Sequence, residues 1–307
     1  MTRRIAIAVP ARNEADRIGA CLAGLTVASD FAREVDTAIV VLVNNACDNT
    51  AERARAFGRQ GCGRVIVKPV ILSPEKAHAG WARRLALDAA ADLLCGPDDL
   101  ILSTDADTVV APDWIMRTLT HVNAGWDAVA GLARLNPAEL RLLPSAHRRR
   151  LAQIRRYGQA IDYLKAQQDL SEPWPRHFYE GGASMALTLR SYRAIGGAPT
   201  PAVGEDKALF DAVRRTGGTV RHAADVRVRT SARLVGRAQG GASDILALWG
   251  RQTDAEPAAS LTTIAGALGH ANPGSCALAF KDLPSETDRA RSLVAQLRRA
   301  RSFAEAS

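Results

Sequence analysis

What most constrains this chain is a rhythm in its first 130 or so residues. Short apolar runs alternate with stretches of helical spacing, and most of the runs end in polar residues. Ile5–Val9 is a continuous apolar run closed by Pro10. Ala15–Leu25 reads as an amphipathic helix. Thr37–Val43 is apolar and β-branched and stops at Asn44-Asn45, after which Asp48-Asn49-Thr50 offers capping residues for a helix to about Phe57. Val65–Val70 reads as a third strand, Lys76–Leu94 as a helix and Leu100–Ser103 as a fourth strand. Pro112 stands where the first residue of a helix carrying Trp114, Ile115 and Leu119 would be. Strands that are apolar along their whole length are buried on both faces. The rhythm therefore predicts an α/β fold, a doubly wound, mostly parallel sheet flanked by helices.

Asp127–Ala133 reads as one more strand, and then the character changes. Ser145–Leu170 is a long basic helix containing His147-Arg148-Arg149-Arg150 and Arg155-Arg156, and Glu172-Pro173-Trp174-Pro175 breaks it. Short strands are predicted at Ala183–Leu189, Thr219–His222 and Val226–Thr230, with helices at Ser191–Ile195 and Glu205–Thr216. Beyond about Gly236 the chain is rich in Gly and Ala until a charged helix, Glu286–Arg301. No repeat of solenoid period is present. The 307 residues, 47% of them hydrophobic, suit one large α/β unit with an appendage.

In such sheets ligands bind beyond the carboxyl ends of the strands. Three strands end there in polar clusters: Arg12-Asn13-Glu14, Asn44-Asn45 with Asp48, and Asp105 with Asp107. The Asp105-x-Asp107 pair suits a hard divalent cation, which takes oxygen ligands and shares them with phosphates; a turn pair that caps the next helix has the same spelling. Glu205-Asp206 follows Gly204 at a helix start. There a carboxylate either caps the helix or takes a proton from an acceptor hydroxyl as general base. Gly181-Gly182 allows close backbone approach to a sugar, or simply a turn. Thr230-Ser231-x-Arg233, with Arg237, offers hydroxyls and guanidinium groups to a diphosphate. Trp114 and Trp126 read as core, and Tyr179 and Trp174 as stacking candidates in the proline-broken loop. His78 and His222 are open between structural roles and contact with metal or phosphate.

Several classes fall away. No G-x-G-x-x-G follows the first strand, against a NAD-dependent oxidoreductase. Five cysteines (21, 47, 62, 95 and 276), an odd number without metal-knuckle spacing, predict a reduced, cytosolic protein. The five-residue run at the start is too short for a signal peptide's apolar region, and nothing approaches the roughly 20 apolar residues of a membrane span. The formal charge is +8, and only five of the 40 basic residues are lysine. Arginine forks match phosphate oxygens, but no nucleic-acid module or aromatic ladder accompanies them, so no nucleic-acid partner is expected. Contact with a membrane surface, at the inner face, stays open.

In order, these segments resemble glycosyltransferase family 2, of the GT-A fold, over about residues 3–237. IAIAVPARNEADRIGACLAGL is similar to the family's opening strand, loop and helix, and VVLVNNACDNTAERA to its second strand and loop, with Asn44 or Asn45 where an aspartate is usual. Lys76–Arg83 resembles its basic third loop, and LILSTDADTVVAPDWI its DxD strand. YEGGASMALTLRSYRAIGGAP followed by GEDKALFDAVRRTGG resembles its acceptor half, ending in an ED motif. The resemblance implies a nucleotide-binding half over about 1–133 and an acceptor half over about 134–237; the stretch it does not cover, 238–307, is expected to be an extension of mainly helical character. It implies an inverting, metal-assisted transfer of a sugar from a nucleoside-diphosphate sugar to an acceptor hydroxyl, for which an anionic or lipid-linked acceptor is one expectation. Pro10, Arg12, Glu14, Asn44, Asn45 and Lys76 would line the nucleotide. Asp105 would hold nucleotide or sugar, Asp107 would bind Mn2+ or Mg2+, and Asp206, with Glu205 beside it, would be the base. A sugar nucleotidyltransferase of related architecture is an alternative, although Pro10–Glu14 lacks the glycine-rich phosphate loop. A non-catalytic protein binding anions or a membrane surface through Arg148–Arg156 is another.

Overall fold

Ile5, Ile7 and Val9 pack in one apolar cluster and Ala6 and Ala8 in another, and all five are buried. Side chains of a strand alternate between faces, so this strand lies inside a sheet covered on both sides. The computed structural model describes residues 3–61, 63–237, 240–270 and 276–306; Cys62 lies outside them.

In chain order the elements are β1 (Arg4–Ala11), α1 (Ile18–Phe31), β2 (Asp36–Asn44), α2 (Thr50–Arg59), β3 (Arg64–Val70), α3 (Ala79–Ala91), β4 (Leu100–Ser103), β5 (Thr108–Val110), α4 (Trp114–Asn123) and β6 (Ala128–Leu135). They continue with α5 (Pro137–Leu142), α6 (Ser145–Gln168), β7 (Met185–Thr188), α7 (Leu189–Ala194), α8 (Glu205–Arg215), β8 (Val220–Thr230), α9 (Ala242–Arg251), β9 (Pro257–Thr262), α10 (Ile264–Ala267), β10 (Ala277–Ala279) and α11 (Leu283–Ala306). The chain forms two compact units: residues up to 136 together with 179–231 and Arg237, and residues 137–178, 232–236 and those from 240 on.

The first unit holds a sheet in the order β3-β2-β1-β4-β7-β6-β8-β5. Neighbours are parallel from β3 to β4 and between β6 and β8, while β7 and β5 run antiparallel to their neighbours. The sheet is thus mixed and mostly parallel. One face packs Ile5, Ile7, Ile39, Val41, Leu100 and Leu102 with Leu22, Leu25, Trp114 and Ile115 of α1 and α4. The other packs Ala6, Ala8, Val40 and Ile101 with Ala86, Leu87 and Ala90 of α3 and Phe210 of α8. Alanines from β1 meet alanines from α3, which lets that helix lie close to the sheet.

Two strands of this sheet differ from the sequence reading. Thr108–Val110 is a strand, too short for an alternating pattern to show. Thr219–His222 and Val226–Thr230 are one strand, β8, whose bulge hides its continuity. Gly131 pairs with Ala223 and Leu132 with Arg227, so residues 224–226 loop out. His121 and Asp225 pin that bulge at 2.8 Å. A Cβ on Gly131 would lie 2.1 Å from Ser184 Oγ and 2.9 Å from the Val226 carbonyl oxygen, so only glycine fits there.

In the second unit Tyr157, Ile161 and Leu164 of α6 share a core with Ile264, Leu278, Phe280, Leu283 and Ala290. The stripe of α6 is covered by elements about a hundred residues downstream. Packing therefore joins 137–178 to the C-terminal elements, where the sequence suggested one contiguous break near 237. Within this unit the Asp169 carboxyl is pulled down to about 2 by the Ser171 hydroxyl and backbone N–H and by Arg176. No helix of the described residues is long and apolar enough to cross a membrane.

Candidate active site

The carboxyl ends of β1, β2 and β4 and the start of α8 carry the polar residues singled out above, all within the first unit. Side chains lace the first two loops together. Asn13, at φ +54°, accepts the Cys47 N–H at 2.8 Å, and its carbonyl accepts Arg237 Nε at 3.1 Å. Asp48 accepts the backbone N–H groups of Thr50 at 3.0 Å and Ala15 at 3.1 Å. Against the opposing push of burial, the Thr50 hydroxyl at 2.5 Å first, then these backbone bonds and Arg237, keep its carboxyl below the usual range. Asp48 thus holds the first residue of α2, whose N-cap Asn49 makes no side-chain cap hydrogen bond, and ties β1's loop to β2's. Asn44 is buried within β2, and Asn45 commits its amide to Leu72, donating at 2.8 Å and accepting at 3.1 Å. Arg12 is exposed and reaches the Ala77 carbonyl at 3.3 Å; Lys76 lies 4.8 Å from the centre of the Trp81 ring.

Arg83 is the hub that the sequence reading did not single out. Its side chain is 7% exposed and lies on the buried stripe of α3, in phase with Gly80, Leu87 and Ala90. It donates to Asp105 Oδ1 at 2.6 Å, to Glu205 Oε1 at 3.3 Å, to Ser103 Oγ at 3.1 Å and to the Gly182 carbonyl at 3.2 Å. Burial works against its charge, but Asp105 and Glu205 outweigh it and hold the guanidinium firmly protonated. Gly182 continues the chain of contacts: its N–H donates to Asp206 Oδ2 at 3.0 Å, while Asp206 Oδ1 accepts the Lys207 N–H at 2.7 Å. The two motifs a hundred residues apart are thus bridged by one arginine and one glycine.

The remaining acids gather nearby. The buried Cys21 thiol is pushed well up, first by burial and then by the charges of Asp107, Asp105 and Glu14. Its Sγ lies 3.6 Å from the Asp105 carbonyl. Glu14 is buried, and its N–H donates to Thr50 Oγ1 at 2.8 Å. Tyr179 is half exposed, yet its hydroxyl edge lies against Gly181, where an added Cβ would come within 2.3 Å of it. Burial of that edge, then Asp206 and Asp105, push its phenol up to about 12.

Other candidates go elsewhere. His222 pairs with Glu180 at 3.1 Å, and Arg214 bonds the same carboxylate. Against burial, these partners keep Glu180 below the ordinary range. His222 therefore has a structural partner. His78 stands at the N-terminus of α3. Arg233 groups with the second unit. Trp114 is fully buried and donates to Ser184 Oγ at 2.8 Å.

A Cβ on Gly182 would sit 2.0 Å from Arg83 Nη2. Gly182→Ala is therefore expected to displace the guanidinium and to cost about 1–3 kcal/mol, as overpacking of well-filled interiors does. Thermal denaturation checks this; an unchanged melting temperature would contradict the described packing.

The mixed, mostly parallel sheet flanked by helices is that of a GT-A glycosyltransferase, as the family match bears out. The chain belongs to the family described as glycosyltransferase like family 2, whose model matches residues 3–235. No curated protein matches it by sequence. Among solved structures it is similar to the mannosyltransferase PcManGT from Pyrobaculum calidifontis in complex with GDP-Man and Mn2+. That likeness has 18% identity and a TM-score of 0.56, and covers 98% of this chain and 80% of that one. It is also similar to S. aureus TarS 1-349 in complex with UDP, at 13% identity and a TM-score of 0.51, over 75% of this chain and 61% of that one. At these identities the likeness is one of fold.

Proposed function

We propose that this glycosyltransferase is an inverting enzyme that moves a sugar from a nucleoside-diphosphate sugar to an acceptor hydroxyl, with Asp206 as general base. The observation that carries the reading is the bridge from Asp105 through Arg83 and Gly182 to Asp206. It supports a donor site and a base held in one fixed frame.

Roles follow from what each side chain already holds. Asp105 and Glu205 are ion-paired to Arg83 and give the frame its shape. Asp206 is oriented by two backbone N–H groups, and a carboxylate has lone pairs left for an acceptor O–H. As that oxygen bonds to the anomeric carbon from the face opposite the diphosphate, its proton passes to Asp206 and the carbon–oxygen bond to the diphosphate breaks. Tyr179 offers a half-exposed ring beside the same carboxylates for the sugar or acceptor. The loops of Pro10–Glu14 and Asn44–Asn45 line the nucleotide end, with Lys76 as a cation for phosphate.

The donor set suits a divalent ion. Asp107 supplies a carboxylate which, like Asp105 and Glu14, acts on the buried Cys21 thiol. A hard cation takes oxygen ligands and often completes its shell with substrate phosphate oxygens. Mn2+ or Mg2+ held by Asp107 would neutralise charge on the leaving diphosphate. PcManGT's complex with GDP-Man and Mn2+ and TarS's with UDP support the same reading.

Thermal shifts with UDP, GDP and dTDP, with and without Mn2+, test it. One nucleotide, at about 100 times its Kd, is expected to raise the melting temperature only with metal, because binding then adds roughly 2.7 kcal/mol of stability. Asp107→Asn should abolish the rise. No rise with any nucleotide, or a rise indifferent to that substitution, would overturn the donor site.

A further inference from the structure

Arg150 and its neighbours on α6 have opposite fates. Arg150 turns inward: it donates to the Gln252 carbonyl at 2.9 Å and lies 4.0 Å from the centre of the Phe280 ring. Arg148, Arg149, Arg155 and Arg156 stay exposed. Their spacing of one, seven and eight residues places all four on one face of the helix. From Ser145 to Gln159 there is no Asp or Glu. Among the described residues no carboxylate pairs with any of the four. Arg148 Nη1 donates instead to the Arg141 carbonyl at 2.7 Å, which sets the end of α5 against this face. The last residue of α5, Leu142, is 85% exposed. A row of guanidinium groups thus stands next to a bare leucine.

We propose that this face docks on a bilayer containing anionic phospholipid, with the four guanidinium groups on lipid phosphates and Leu142 in the headgroup layer. Charge complementarity selects that occupant. A second copy would bring like charges together. Nucleic acid would leave the leucine without a role, and no exposed aromatic side chain stands among the arginines to stack on bases, since Tyr157 is buried. The docking goes beyond the transfer reaction and is read without donor or acceptor.

The full chain is sedimented with phosphatidylcholine vesicles, with and without phosphatidylglycerol, over a salt series. Binding is expected only with phosphatidylglycerol and should weaken as salt rises. Each guanidinium near an anionic surface contributes about fivefold. Arg148→Gln, Arg149→Gln, Arg155→Gln and Arg156→Gln together should therefore weaken binding by at least about 100-fold. Leu142→Asp should weaken it further. A control carrying Arg33→Gln, Arg59→Gln, Arg64→Gln and Arg215→Gln removes the same charge elsewhere and should bind nearly as the parent does. Melting curves show that each variant is folded. Absent or salt-insensitive binding would overturn the proposal, as would equal loss in the control. So would tighter binding to duplex DNA than to vesicles, or self-association abolished by the same four substitutions.

Discussion

Asp206→Asn is expected to lower the rate of sugar transfer by about 10²–10⁴-fold, the range a positioned general base supplies. That corresponds to about 3–5 kcal/mol of barrier. The substitution keeps the side chain's shape and one acceptor oxygen, so one of the bonds from Gly182 and Lys207 survives. It removes the capacity to take a proton. The nucleotide-dependent thermal shift should therefore persist while turnover collapses, which separates the chemical step from donor binding. Turnover within about tenfold of the parent would show that another group deprotonates the acceptor, and the role given to Asp206 would fall.

Arg83→Met should strike stability first. It leaves Asp105 and Glu205 facing each other without a cation and strips donors from Ser103 Oγ and the Gly182 carbonyl. Removing one partner of a buried ion pair costs about 3–5 kcal/mol. The lower end is expected here, because the Asp105 side chain is 34% exposed while Glu205 is 11% exposed. Urea denaturation reads the loss directly. Arg83→Lys should recover part of the stability, since one ammonium cannot span four acceptors arranged for a planar fork.

The sheet was legible because its central strands are buried on both faces. Leu100–Ser103 has the same bounds in sequence and structure, and Thr37–Val43 falls one residue short of β2 at each end. Both acidic motifs were legible because they adjoin such strongly patterned elements. Arg83 was hidden for a different reason. In a chain this rich in arginine a single one carries no compositional signal. What marks it is phase: it sits on the same helical stripe as Gly80, Leu87 and Ala90, where an apolar residue is expected. Asn45 shows the converse. Its place at a strand end is plain in the sequence, but its bonds to Leu72 depend on how β3 ends, which no local pattern encodes. The boundary near 237 follows the reach of the family resemblance; the partners of the apolar stripe of α6, about a hundred residues downstream, are not encoded in any local pattern.

That distance matters at the ribosome. About 115 residues separate the end of α6 from the start of α11, so at 5–20 residues per second the nascent helix waits roughly 6–23 s for its cover to be synthesised. During that interval Tyr157, Ile161 and Leu164 lack their final neighbours, and such transiently exposed apolar surface is what makes nascent chains prone to aggregate. A stop codon ahead of Leu283 would make the wait permanent.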